Sequence, residues 1–196
     1  MKKFRISGII MALGVLLIAV ALLLYLGSYL STEKHKTESV RIADELISHM
    51  PEISDGFIYE RSDYSMPVYE LDGKNYVGVM EIPAYSVKLP VFANWDKGEL
   101  NASPCRYMGS IYDGSLVVGG RDRAGQFDFI SHITETDSVY ITDMAGDRFE
   151  CVVTNIEVTD DASTEKLTEG EYDLVLFARN RSDNKYVIIR CNFKTK

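Results

Sequence analysis

Leu174-Val175-Leu176-Phe177-Ala178-Arg179 and, after a polar stretch, Tyr186-Val187-Ile188-Ile189-Arg190-Cys191-Asn192-Phe193 are the runs whose reading decides the fold. Both are short, rich in β-branched and aromatic residues, and bounded by turn-forming residues, so Tyr172 to Phe177 and Tyr186 to Phe193 read as strands. Working outward, the same signature recurs at Phe57 to Glu60, Val68 to Leu71, Tyr76 to Ile82, Val87 to Phe92, Ser115 to Val118, Ser138 to Thr142 and Phe149 to Val158. Asp72-Gly73 between two such runs is a hairpin turn, and Ala145-Gly146-Asp147 is a second. Many short strands and few helices predict a mainly β domain, a closed barrel or a sandwich. Within that domain helix is expected only around Gln126 to Ile133 and, as a brief turn, Ser163 to Leu167.

The strands begin late. Ser31 to Met50 is polar and charged, with Val40, Ala43, Ile47 and Met50 at helical spacing beside Ile42 and Leu46, which predicts an amphipathic helix. Pro51 and then Asp55-Gly56 stop it and turn the chain. Ahead of it, Ile6 to Leu30 is 25 residues without a charge, enough for a helix to span the roughly 30 Å hydrocarbon core of a bilayer. A cleaved signal peptide has a shorter apolar region ending at a small-residue cleavage site, and no such ending occurs near Leu26-Gly27-Ser28-Tyr29. Lys2, Lys3 and Arg5 favour keeping the N-terminal tip in the cytoplasm. The expectation is a retained, single-pass signal anchor with Tyr25 and Tyr29 near the outer interface. The organisation that follows is tip and anchor 1–30, linker helix 31–55 and an extracytoplasmic β domain 56–196.

Charge is distributed unevenly. The anchor segment holds no acid, which leaves 18 of the 21 Lys and Arg against all 29 Asp and Glu, a net −11 over the remainder. A domain that acidic is a poor partner for nucleic acid or an anionic membrane surface. Cys105, Cys151 and Cys191 lie far apart without a CxxC pair, so neither a zinc site nor a disulfide framework is indicated, and at most one disulfide can form.

Six pieces now fall in order: Glu81-Ile82-Pro83; Val87-Lys88-Leu89-Pro90-Val91-Phe92; Ser115-Leu116-Val117-Val118-Gly119-Gly120 with Phe127 following; Asp137-Ser138-Val139-Tyr140; Asp173-Leu174-Val175-Leu176-Phe177; and Val187-Ile188-Ile189-Arg190-Cys191. In this order the chain resembles the sortases over about residues 76 to 194, together with the anchor and linker helix common in that family. The resemblance implies an eight-stranded β-barrel. It also implies the setting of a membrane-anchored cysteine transpeptidase, mainly of Gram-positive bacteria, that cuts a sorting signal and joins the new carboxyl end to peptidoglycan or to a pilin lysine.

That chemistry uses a histidine after the fourth barrel strand, a cysteine ending the seventh and an arginine on the eighth. The segment matching the histidine run is Val117-Val118-Gly119-Gly120-Arg121-Asp122, so Arg121 stands where histidine is expected. The segment matching the cysteine run is Leu174-Val175-Leu176-Phe177-Ala178-Arg179, so Arg179 stands where cysteine is expected. Arg190 occupies the arginine position. A guanidinium stays protonated, so it can neither attack a carbonyl nor shuttle a proton. Replacement groups are not evident. Cys105 lies in a loop before the fourth strand, Cys191 faces away from Arg190 by strand alternation, and both read as buried or paired. Cys151 reads as packing, His132 as a surface residue, and His35 and His49 as linker-helix residues without partners.

If the barrel forms in the family manner, Arg121, Arg179 and Arg190 converge in one cleft. Two explanations stay open: internal pairing with Asp122, Asp128 or Asp160-Asp161, or an anion site, since arginine forks suit carboxylate and phosphate. The acids from Asp160 to Glu171 match no calcium-loop spacing and read as a solvated face, so no metal or other cofactor is expected. The expectation is a pseudo-sortase without transpeptidase chemistry, an adaptor or regulator in surface-protein or pilus assembly at the cell wall. Its partners would be sorting-signal substrates, pilin subunits or an active sortase, with the membrane contacted through residues 6–30 and no nucleic acid bound. The alternatives are an active sortase with displaced catalytic residues, or a structural or ligand-sensing domain.

Overall fold

Alternation along a strand gives it one face for an interior and one for a covering layer, and here the interior faces close on themselves. A computed structural model describes residues 2–55 and 63–194, and within the first helix it describes side chains at 11, 13–27, 34 and from 36 onward. The elements are α1 (Lys2–His49), β1 (Ser54–Asp55), β2 (Tyr69–Leu71), β3 (Lys74–Ile82), β4 (Val87–Phe92), β5 (Cys105–Met108), β6 (Leu116–Arg121), β7 (Ser138–Asp143), β8 (Asp147–Thr159), α2 (Thr164–Leu167), β9 (Leu174–Arg179) and β10 (Tyr186–Phe193).

Eight of these strands form a closed ring in the order β3, β4, β5, β6, β9, β10, β8, β7 and back to β3. Neighbours are antiparallel except β4 with β5 and β6 with β9, which are parallel. The short β1 and β2 extend the sheet beyond the ring at β8 and β3. Met80, Leu89, Val118, Ile141, Leu176 and Ile189 belong to the cluster that fills the interior.

Two covering layers protect the outer face. The end of α1 lays Ala43 and Leu46, with Met50 directly after it, against Tyr76, Val79 and Phe92. On another side α2 presses Leu167 onto Val117, Val175 and Ile188. Full burial of that one leucine stabilises by about 2 to 3 kcal/mol, enough to dock a helix of a single turn. Ser163 caps it by accepting the Lys166 N–H on its Oγ at 3.3 Å.

The chain divides into two units, residues 1–35 and residues 36–196. In the first, the side chains of Leu16, Leu17, Ile18, Leu22, Leu23 and Leu24 are exposed, as is Tyr25. Among the described residues no helix is long and apolar enough to cross a membrane. The side chains of Tyr29 and His35, and the strand expected at Phe57 to Glu60, lie outside the described residues.

Three local expectations are corrected. α1 runs unbroken from Lys2 to His49 instead of starting afresh near Ser31, and Val40 is exposed rather than on the packed face. Cys105–Met108, expected as loop, is a strand: between Pro104 and Gly109 it is too short to show a pattern, and its pairing with β6 creates it. The helix expected over Gln126 to Ile133 is a single 3₁₀ turn at Asp128–Ser131. Gly125 there takes a left-handed φ of 80°, and the Gln126 side chain is committed to backbone groups on either side of it. By contrast, Asp72 and Gly73 both adopt positive φ, as a two-residue hairpin turn requires, and join β2 to β3 with Leu71 opposite Lys74.

Candidate functional site

The parallel pair β6 and β9 runs in register from Leu116 opposite Leu174 to Arg121 opposite Arg179. Both strands therefore end at the same height with an arginine, and beyond them two loops rise as walls. Each loop begins with a second arginine two residues on, Arg123 and Arg181. The Gln126 side chain pins the first loop: its Oε1 accepts the Arg121 N–H and its Nε2 donates to the Leu100 carbonyl at 3.1 Å. Asp122 Oδ2 accepts the Arg181 backbone N–H at 2.9 Å and so ties the two loops together.

The two loops line an open cavity of about 810 Å³. Its floor is aromatic. Trp95 stacks on Phe177 with ring centres 5.6 Å apart, and Tyr107 meets both edge-on at 5.1 and 5.6 Å. Gly119 makes this floor possible, because a Cβ there would stand 2.4 Å from the Trp95 ring and 2.7 Å from Phe177. The walls are cationic: Lys97, Arg121, Arg123, Arg179 and Arg181 line the cavity with Asp122 as their sole acidic companion among the described lining residues. Arg179 Nε donates to the Asn184 carbonyl at 2.9 Å and its guanidinium lies over the Tyr186 ring. Arg121 reaches the Lys97 carbonyl at 3.5 Å. Arg123 is half-buried with no partner for its Nε. Desolvation holds its pKa below the ordinary arginine value, and the like charges of Arg121 and Arg181 push it the same way.

Arg190 does not join this group. It pairs across β10 with Val175 of β9, four residues back from Arg179, or about 13 Å at 3.3 Å per residue. Arg190 is 3% exposed, its guanidinium lying beneath α2. There it donates to Asn155 Oδ1 at 3.0 Å, Glu157 Oε2 at 2.8 Å and the Lys166 carbonyl at 3.1 Å, and it lies against the Tyr172 ring. The expected convergence of three arginines is thus corrected. Arg121 and Arg179 meet, while Arg190 holds a covering helix to the barrel and has its own carboxylate.

None of the three cysteines lines the cavity. All are free thiols and fully buried. Burial pushes Cys105 up to about 11 and Cys191 up to about 12, and moves Cys151 further still, so each is held as the unreactive thiol. Cys191 packs in the barrel interior, opposite in face to Arg190, as alternation along β10 predicts. His132 is exposed on the 3₁₀ turn, and His49 Nδ1 sits 2.8 Å from the Glu45 carbonyl at the end of α1. The acids after Asp160 serve local structure: Asp161 accepts from the Ser163 N–H and hydroxyl, and Glu169 pairs with Lys166.

Sequence reasoning found Arg121 and Arg179 and missed Arg123, Arg181 and Lys97. The signal for two of them was present. Arg121-Asp122-Arg123 and Arg179-Asn180-Arg181 are the same Arg-x-Arg spacing at the ends of two strands that the fold sets side by side.

Compared by sequence, no protein-family model and no curated protein matches this chain. Compared by structure, it is similar to a lid mutant of sortase A from Corynebacterium diphtheriae, at a TM-score of 0.53 and 18% identity over 63% of this chain and 72% of that one. Sortase C1 from Streptococcus suis superposes at a TM-score of 0.53 with 20% identity, covering 62% and 74% of the two chains. Sortase A from Listeria monocytogenes gives 0.51 and 18%, covering 61% and 88%. At such identities the likeness is one of fold, and in fold this chain carries the mainly β, eight-stranded closed barrel of the sortases.

Proposed function

We propose that this chain is a membrane-held pseudo-sortase that grips a segment of a partner protein without cutting it. The partner is a sorting-signal protein, a pilin subunit or an active sortase, and the role is that of adaptor in surface-protein assembly. The observation that carries the reading is the pair of strand ends where the resemblance expects a histidine and a cysteine. They hold Arg121 and Arg179, which line the cleft in register, while the three thiols are buried elsewhere with raised pKa values. Covalent catalysis needs a nucleophile beside a base, and two guanidiniums supply neither role. The aromatic floor and the 810 Å³ of space remain suited to holding a peptide.

Anchoring belongs to the same proposal. Residues 6–30 hold the barrel at the outer surface of the cell membrane, with Lys2, Lys3 and Arg5 on the cytoplasmic side. The exposed leucines of the first unit are a surface that water does not suit.

Detergent-solubilised full-length protein incubated with sorting-signal peptides and an amine acceptor should give neither cleavage nor transfer by mass spectrometry. Turnover that disappeared in Cys105→Ala or Cys191→Ala would overturn the reading and identify a displaced nucleophile.

A further inference from the structure

Ion pairing elsewhere in the molecule shows what these arginines forgo. Arg41 pairs with Glu38 and Glu45, Arg148 with Glu81, and Arg190 with Glu157. With 29 Asp and Glu in the chain, carboxylates are in ample supply. Yet among the described residues none of Lys97, Arg121, Arg123, Arg179 and Arg181 forms an ion pair. Asp122, the acid among them, spends its Oδ2 on the Arg181 backbone N–H. Lys97, Arg121, Arg179 and Arg181 are exposed to water, whereas Arg123 is half-buried among like charges, and with its partnerless Nε it bears the cost of their repulsion. An anion in the cavity would relieve that repulsion.

From this we infer that the cleft selects an acidic peptide segment, carboxylate side chains beside an aliphatic or aromatic one. The inference rests on the non-catalytic peptide-gripping reading and names its specificity. Charge alone would suit any polyanion. The floor decides between them: Trp95, Tyr107 and Phe177 line the same cavity as the two Arg-x-Arg segments and give it an apolar part. A phosphate polymer gains nothing from those rings, whereas a peptide with an apolar residue beside its acids covers their exposed edges and still reaches the arginines. Guanidinium forks take carboxylates with two parallel hydrogen bonds, which adds direction to charge. Because the rest of the domain is acidic, long-range attraction is weak and recognition depends on these short contacts.

Trp95 is the chain's single tryptophan, so its emission reports occupancy of the floor directly. Full-length protein in detergent is titrated with a pooled panel of acetylated, amidated pentapeptides carrying two Asp or Glu around one Leu, Ile, Phe or Trp-free aromatic residue. The matching Asn/Gln panel and inorganic polyphosphate are titrated in parallel. The acidic panel should change Trp95 emission and bind at least tenfold more tightly than the amide panel. Affinity should fall with added salt, and Arg121→Ala or Arg179→Ala should each weaken it roughly tenfold, the worth of one charge-assisted contact. Lys88→Ala, outside the cleft, should leave it unchanged. Equal binding of the amide panel, no binding of the acidic panel, or binding of polyphosphate alone would each overturn the inference. Turnover of sorting-signal peptides would sink the non-catalytic reading while leaving acid selectivity standing, and failure to bind acidic peptides without turnover would do the reverse.

Discussion

Arg190 illustrates how one buried side chain can fasten a covering element to a sheet. Its guanidinium satisfies Asn155, Glu157 and the carbonyl of Lys166, and so fastens the single turn of α2 over β8 and β10. Arg190→Met should retain the packing and lose these bonds, costing about 2 kcal/mol in urea unfolding at neutral pH. The same contact sets a pH dependence. Hydrogen bonds from Lys166 first, then Arg190, hold the Glu157 carboxyl below its ordinary 4.5. A carboxylate favoured by the fold contributes stability above the unfolded pKa and loses it as pH falls through the folded one. The stability gap between the native chain and Glu157→Gln should therefore be full at neutral pH and shrink below about pH 4.5. A gap unchanged at pH 3 would show that the pair contributes no charge-dependent stability.

At the scale of elements, the parallel contact of β6 with β9 builds the cleft, and Gly119 permits its floor. A methyl group at that position meets the Trp95 ring at 2.4 Å and Phe177 at 2.7 Å, which stack on each other with Phe177 buried and so leave little room to yield. Gly119→Ala should cost about 1 to 3 kcal/mol through overpacking and shift Trp95 emission to the red as the ring is driven off the sheet. Gly27→Ala, with nothing within 4 Å of the added carbon, should leave the thermal midpoint and the emission unchanged. If both variants behaved alike, the floor would not depend on that close approach.

For the whole molecule, the question is where the barrel resides. Its core, from Ala43 and Leu46 on α1 through the interior of the ring, is drawn from residues 36–194. Protease applied to intact protoplasts should remove the barrel and leave a short, membrane-retained N-terminal fragment, detectable by mass spectrometry. A barrel protected until the cells are broken would reverse the proposed orientation.

Most strands were legible because strand identity is local: alternation and β-branched content at Tyr76–Ile82, Val87–Phe92 or Tyr186–Phe193 are written within six to nine residues. That Arg121 and Arg179 end two strands as guanidiniums was equally a matter of residue identity. The sequence by itself thus determined the class of fold, the Asp72-Gly73 turn and the chemistry that two strand ends cannot perform. Register and close approach were decided only by the tertiary structure. The six-residue connection between β9 and β10 sets Tyr186 opposite Arg179 and thereby Arg190 opposite Val175, an offset that no spacing along the chain expresses. The meeting of Arg123 with Arg181 likewise depends on two strands 58 positions apart lying parallel and in step. Side chains distant in sequence acquire a shared environment only when the sheet closes, and so the cleft's charge, unlike its strands, belongs to the fold.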